Sequence, residues 1–338
     1  KDKIDFNTII IDIEFELKVD IKQLLIILTL THVLNKEIAL FIYGRRGAGH
    51  VAPMIIDNVD YSKVVEQQFL PLLQSNLFNI IPDVLYEQFV NKFCTTLYKI
   101  DRASSSEVIY ETKGNSKHIS KLCDQTRFQI TAVQSTSNLK PILEHTGPII
   151  DYRYSIKFTE GDRLTANINL NAPIVNVFVV YSLNTFKSSI SIYGQNALFG
   201  NDDGRNNGRY ITFNSSKSLI VAGSNSGRDI VNSYPNNANA GELNKYKVLS
   251  VHFNQPSEIN KSYIYCNGKK LLDFTSNSTK GTSTTTIGDL SDIKRAPLRG
   301  NIAFFSVYKN ILSKQTIKLH HKILCERYNV THDSITLD

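Results

Sequence analysis

Oxygen-bearing side chains dominate the stretch Asn201-Asp202-Asp203-Gly204-Arg205-Asn206-Asn207-Gly208. A calcium ion takes about six to eight oxygens from carboxylates, amides and carbonyls. Asp202 and Asp203 offer carboxylates, and Asn201, Asn206 and Asn207 add amide oxygens. The glycines let such a loop wrap tightly. The spacing does not fit an EF-hand, and Asn/Asp/Gly runs are also ordinary loop composition. Asp202 and Asp203 are therefore the candidate metal ligands, and calcium is the one cofactor these residues suggest. A second polar stretch, residues 223–244, contains Asn225, Arg228 and Tyr234 and reads as a long loop. Amide side chains suit sugar hydroxyls, and Tyr210 or Tyr234 can stack on a sugar face. The chain has no Trp, the best stacking ring, which weakens a lectin reading. The candidate ligand-binding set is Asn201, Asn206, Asn207, Tyr210, Asn225, Arg228 and Tyr234, for a glycan or a protein ligand.

Other groups carry weaker chemistry. Asp12, Glu14 and Glu16 share one face of an alternating strand. A retaining glycosidase needs two carboxyl groups about 5 Å apart. Ile10-Ile-Asp-Ile-Glu-Phe15 resembles the catalytic strand of laminarinase-type glycosidases, which would make Asp12 the assisting acid and Glu14 the acid/base. Ile10 stands where that family has its nucleophile, so a solvated strand face explains the pattern better and a glycoside hydrolase is the weakest reading. Gly44-Arg-Arg-Gly-Ala-Gly49-His50 follows a strand, but Pro53 interrupts the helix a dinucleotide turn requires, and no P-loop lysine follows. It reads as a basic glycine turn. His252, His320 and His321 have no serine or cysteine beside them in a nucleophile-elbow context, so satisfied histidines are expected rather than a triad. Lys314, Lys318 and Lys322 lie along one helix side and read as a solvated face. The four cysteines, Cys94, Cys123, Cys266 and Cys325, have neither C-x-x-C nor zinc-ligand spacing. They fit one or two bridges or buried thiols.

The elements that must position these groups fall into two textures. In the first, Ile11, Ile13, Phe15, Leu17 and Val19 alternate with charged residues, predicting a strand. Residues 37–43 read as another strand, and residues 62–99 as short helices broken near Pro71 and Pro82. Residues 101–125 read as a linker, 127–133 as a short strand and 134–148 as loop. A boundary is placed at 147/148, dividing an α+β domain over 1–147 from a second domain over 148–332. Beyond it, short strands are expected at 152–158, 164–170, 174–182, 189–193, 209–213, 218–222, 246–253, 262–266, 269–274, 283–287 and 300–308. Cys266-Asn267-Gly268-Lys269 predicts a type I′ hairpin turn. A helix with Ser313 as N-cap closes the chain.

This second half resembles the laminin-G-like, concanavalin A-like jelly rolls. Ser262–Phe274 is similar to that family's strand–Asn-Gly-Lys–strand hairpin. Thr284–Leu290 resembles its Ile-Gly strand, Leu298–Lys309 its last strand, and Leu312–Val330 its closing helix. Phe304 stands where the family commonly has Glu. The resemblance implies an antiparallel jelly-roll sandwich with a short C-terminal helix, often a binding or adhesion scaffold and sometimes calcium-bound at its rim. A fold of this kind carries many functions and does not name one.

Composition bounds the rest. The 338 residues are 41% hydrophobic and 20% charged, the balance of a globular chain rather than a disordered one. No stretch approaches the about eighteen apolar residues of a membrane-spanning helix. The net charge of +7 lies in the second half: residues 1–150 carry 16 Lys/Arg against 17 Asp/Glu, and the remainder 22 against 14. No block of like charges concentrates it, so nucleic acid is not the expected partner. Four N-x-S/T sequons, at Asn214, Asn260, Asn277 and Asn329, match what chance supplies. No secretory leader is visible. The expectation is a non-enzymatic binding or adhesion protein, extracellular or virion-associated. Its alternative is a structural or attachment protein of a virus or mobile element, for which a homo-oligomer is expected.

Overall fold

Asn267 and Gly268 sit at φ +48° and +81°, both left-handed, as a type I′ turn requires. They join β14 (Lys261–Cys266) to β15 (Lys269–Thr275), as the Asn-Gly pair predicts. The computed structural model describes residues 94–100, 103–145, 154–159, 161–186, 195–204, 208–213, 219–225, 228–234, 240–255, 261–275, 281–292, 296–312 and 314–332, with only the backbone of 195, 219–225, 228–234, 254–255, 261, 275 and 315. The readings of residues 1–93, including Asp12, Glu14 and the glycine turn at 44–49, lie outside these residues, as do the strand at 189–193 and the cap Ser313.

One unit spans Asn91–Thr336. Its central strands are β8 (Val175–Leu183), β13 (Lys247–Gln255) and β17 (Gly300–Tyr308). β8 pairs antiparallel with β13 on one side and β17 on the other, and β13 continues through β14 to β15. The far edge of β17 is shared. β1 (Thr96–Lys99) lies along its second half, and β6 (Ser155–Phe158) along its first. β6 leads to β5 (Ile142–Glu144), then β3 (Ser116–Leu122), whose hairpin partner is β2 (Val108–Lys113).

A second sheet runs from β4 (Ala132–Val133) through β7 (Leu164–Ala166), β16 (Thr285–Ile287), β9 (Gln195–Gly200), β10 (Tyr210–Phe213) and β11 (Leu219–Asn225) to β12 (Arg228–Tyr234), all antiparallel. β3 links the sheets, because its end pairs with β4. The two sheets face each other. Phe199 meets Phe305, and Tyr181 meets Phe213, each pair with ring centroids 5.7 Å apart. The architecture is therefore an antiparallel β-sandwich, in line with the expected fold class for this half.

The boundary expected at 147/148 falls within this sandwich, since β5 and β6 pair across it. Residues 101–125, read as a linker, form β2 and β3, and residues 134–148 contain β5. Their polar composition misled because β2 is an edge with mixed exposure (Val108 buried, Ile109 exposed), so apolar alternation is weak.

β8 is buried along its whole length and lacks polar alternation because both faces are covered. Val175, Val177, Val179, Tyr181 and Leu183 point into the sandwich core. Asn176 and Phe178, from the opposite face, lie under α1 (Lys314–Arg327). Phe304, where the resembling family commonly has Glu, is 2% exposed and packs on Tyr328 just past this helix, 6.2 Å between centroids. A carboxylate there would be buried without a partner. Among the described residues no helix is long and apolar enough to cross a membrane.

Candidate functional site

Polar residues interrupt two of the most apolar strands, and the register brings them together. Ser182 of β8 lies opposite Asn301 of β17. Asn301 lies opposite Lys157 of β6, and Ser155 of β6 lies opposite Glu144 of β5. Because paired residues share a face, these side chains form one polar row across four neighbouring strands. Their neighbours Leu143, Ile156, Ile302 and Leu183 point inward to the core.

The row is cross-linked. The Asn301 amide donates to Glu144 Oε2 and to Ser155 Oγ, each at 3.0 Å. Lys157 Nζ donates to Glu144 Oε1 at 2.6 Å. Asn184 Nδ2 donates to Asn301 Oδ1 at 3.3 Å. The segment before β13 closes over the end of the row. Asn244, at φ +58°, a conformation Asn tolerates, donates its backbone N–H to Leu183 O at 2.7 Å. Burial pushes the Tyr246 phenol pKa up, while its hydrogen bonds with Ser155 and Ser182 pull it down.

The result is a cleft of about 450 Å³ lined by Glu144, Ser182, Asn184, Asn244, Tyr246 and Asn301. It opens broadly to solvent, so a ligand would lie across it rather than be enclosed. Ser182 and Asn301 form a buried floor, while Asn184 and Asn244 are exposed at the mouth. Every lining residue bears a hydrogen-bonding group, and one bears a charge. Carboxylate and amide groups of this kind can accept from and donate to paired hydroxyls. Sequence reasoning overlooked the cleft. Its available signal was Ser182 and Asn301 breaking otherwise apolar runs.

The residues expected to form the ligand site are placed differently. Asn201 is buried and its side chain is engaged: Oδ1 accepts from Arg209 N at 2.7 Å, and Nδ2 donates to Thr282 O and Asn171 Oδ1 at 2.9 and 3.0 Å. It ties three loops together. Tyr210 has no exposed surface and packs with Ala197, Leu290 and Ala296, so it cannot stack on a ligand there. Asn225 and Arg228 face each other at the tip of the β11–β12 hairpin. Tyr234 pairs with Leu219 at its other end, about 20 Å away at 3.3 Å per residue. Residues 223–225 and 228–234 of the stretch read as a loop over 223–244 are thus strands of this hairpin, and the three residues do not converge on one point. Asn206 and Asn207 lie outside the described residues. Asp202 is buried, and its Oδ1 accepts from Gly204 N at 2.6 Å, an Asx turn. Asp203 is partly exposed. Among the described residues no three or more His, Cys, Asp or Glu side chains gather as a metal site.

The histidines lie beside a serine that sequence spacing did not reveal. Ser250 Oγ is 2.7 Å from His252 Nε2 and 2.7 Å from His321 Nε2, and His252 Nδ1 is 2.8 Å from Asn176 Oδ1. The Ser250–His252–Asn176 order resembles a hydrolase relay. All four residues have no exposed surface, so no substrate reaches the hydroxyl, and the network works as packing. Burial lowers the pKa of His252 well below the ordinary value, with His321 and His320 adding to the effect. All four cysteines are free thiols.

No protein-family model matches this chain, and no curated protein matches it. Among solved structures, it is similar to the receptor-binding domain of botulinum neurotoxin type G, at 11% identity, covering 68% of this chain and 51% of that one, with a TM-score of 0.46. It is similar to the botulinum neurotoxin serotype D binding domain at 13% identity, covering 69% and 52%, with a TM-score of 0.47. A third is a botulinum neurotoxin type C structure, described as dependent for cell entry on interaction with two ganglioside molecules, at 14% identity, 70% and 52% coverage and a TM-score of 0.46. The matched part spans about half the length of each of these structures.

Proposed function

We propose that this protein is a non-enzymatic binding module that captures a glycan in the cleft over Ser182 and Asn301. The carrying observation is the lining itself: one carboxylate, three amides, one serine hydroxyl and one tyrosine on six residues around a single open cleft. Sugar hydroxyls need partners that both donate and accept, and a planar carboxylate or amide meets two adjacent hydroxyls at once. The floor is held by its own hydrogen bonds, so little ordering remains on binding. The glycan site therefore moves from the rim loops to the polar row on the sheet. A glycan array probed with the full chain tests this reading. Binding to oligosaccharides is expected, and it should fall at least tenfold in the Asn184→Ala/Asn244→Gly double variant, which removes two side chains exposed at the mouth while glycine keeps the left-handed backbone. Equal binding by that variant removes the site, and a blank array removes the glycan.

A further inference from the structure

Helix α1 rests on the sheet through a hydrogen-bonded chain whose proton positions are all determined. Asn176 Nδ2 donates to Asn310 O at 2.7 Å, so its Oδ1 faces His252 Nδ1, which must carry hydrogen. His252 Nε2 then accepts from the Ser250 hydroxyl. Ser250 in turn accepts from His321 Nε2–H. That leaves His321 Nδ1 bare, buried and without a hydrogen-bond partner. On the same helix, His320 Nδ1 donates to Thr316 O at 3.1 Å, so His320 Nε2 accepts from the Tyr308 hydroxyl at 3.0 Å. The Phe178 ring fills the space between the three imidazoles, with centroids 5.0 to 5.7 Å away.

This arrangement is built for neutral imidazoles. A proton added at His321 Nδ1 would be a buried charge with nothing to accept its hydrogen bond. One added at His252 Nε2 would meet a hydroxyl already donating to it. One added at His320 Nε2 would force Tyr308 to reverse. The contacts of the cluster are with polar and aromatic groups. From the sheet, the facing groups are Asn176, Phe178, Ser250, Tyr263, Tyr265 and Tyr308. Lys270 lies over the Tyr263 ring at 5.4 Å and pairs with Asp273. The helix adds Lys314, Lys318 and Lys322, with Glu326 4.0 Å from Lys322. Burial holds His320 down to about 4, against the Thr316 carbonyl that raises it, and burial with His320 beside it holds His321 to about 3.

We propose that His252, His320 and His321 form an acid-sensitive latch that holds α1 on the sheet at neutral pH and releases it in mildly acidic surroundings. Two of the three histidines travel with the helix and the third stays on the sheet, so protonation acts at the seam between them. For a histidine of ordinary pKa once released, a drop to pH 5 favours the released state by about thirtyfold each. Apolar anchors on the same helix, Ile317 and Leu324, resist release, which sets the threshold below neutrality.

Hydrogen exchange on the full chain at pH 7.5 and 5.0 tests the latch. Protection factors for residues 314–327 should fall at least tenfold at pH 5.0, while those of Val177–Tyr181 in β8 hold. Cys325, buried on α1, should react at least tenfold faster with 4,4′-dithiodipyridine at pH 5.0. A His320→Phe/His321→Leu variant should keep its helix protected at pH 5.0. Unchanged helix protection in the natural chain overturns the proposal, as does joint loss of protection in α1 and β8, or release of the variant at the same pH. If the variant does not fold, the helix-to-sheet comparison in the natural chain decides.

Discussion

Phe199 of the second sheet and Phe305 of the first meet edge to face, ring centroids 5.7 Å apart, where the two layers of the sandwich are pinned together. Phe305 also stacks on Tyr98 of β1 at 6.1 Å, so one ring joins three strands. Phe305→Ala removes that ring from a site 1% exposed and leaves a cavity between two sheets that cannot easily collapse. The expected cost is about 3–5 kcal/mol. Equilibrium urea denaturation checks it; a loss below about 1 kcal/mol would mean the layers do not depend on this contact.

The contrast between Phe305 and Asn301 marks what was legible in the sequence. The strand 300–308 and the strands β8, β10, β13, β14 and β15 were visible because their apolar runs end at Gly, Asn and Ser. The Asn267-Gly268 turn was visible because its chemistry is local. The cleft was not, because Glu144, Ser155, Ser182 and Asn301 are brought side by side only by long-range pairing, across as much as 157 positions. Ser250 and His321 are likewise 71 positions apart. The end of β11 and all of β12 were read as loop because their Asn, Gly and Asp residues have low strand propensity. Tyr210 looked like a ligand-stacking ring because spacing does not say which side of a strand faces the core.

Gly300 is required by backbone proximity. A Cβ built there would run into the carbonyl oxygen of Ser182 on β8. Backbone cannot give way as a side chain can, so Gly300→Ala should push β17 from β8 beside the cleft floor. The expected loss is about 1–3 kcal/mol in stability. A thermal melt unchanged within a degree would show that the strands have more slack than this packing allows.

Thiol chemistry follows burial. Burial pushes Cys94, Cys266 and Cys325 up to about 12. Cys123 is only partly buried. At pH 8 a disulfide reagent should modify Cys123 alone in the native chain, and all four after denaturation. Located by peptide mass, fast modification of Cys266 at pH 8 would contradict the sealed core.

Acid should weaken the fold in a window set by the histidines. Their folded pKa values lie below the ordinary 6.5, at about 4 for His320 and about 3 for His321, with His252 also well below. The unfolded chain therefore takes up protons first. Stability is full above pH 6.5 and is lost as pH falls toward those lower values, at about 1.4 kcal/mol per pH unit for each histidine. Glu111 and Glu242 are held near 2 by neighbouring lysines, so their contribution is lost only below about 4.5. Urea midpoints should be level from pH 8 to 7 and fall from pH 6 to 5. A flat profile down to pH 5 would contradict three neutral buried imidazoles.

Glu144 is the one charged group lining the cleft, gripped by Lys157 on one oxygen and Asn301 on the other. A ligand hydroxyl bound in the cleft would donate to this carboxylate. A hydrogen bond to a charged group contributes about 1.5–3 kcal/mol. Glu144→Gln keeps the shape and removes the charge but loses the Lys157 pair, so it should weaken glycan capture about tenfold to a hundredfold and lower the melt slightly. Because a lone carboxylate makes a poor calcium site, chelation with EDTA should leave capture by the natural chain unaltered. Loss of binding in EDTA would return weight to Asp202 and Asp203, and undiminished binding by Glu144→Gln would place the ligand away from the polar row.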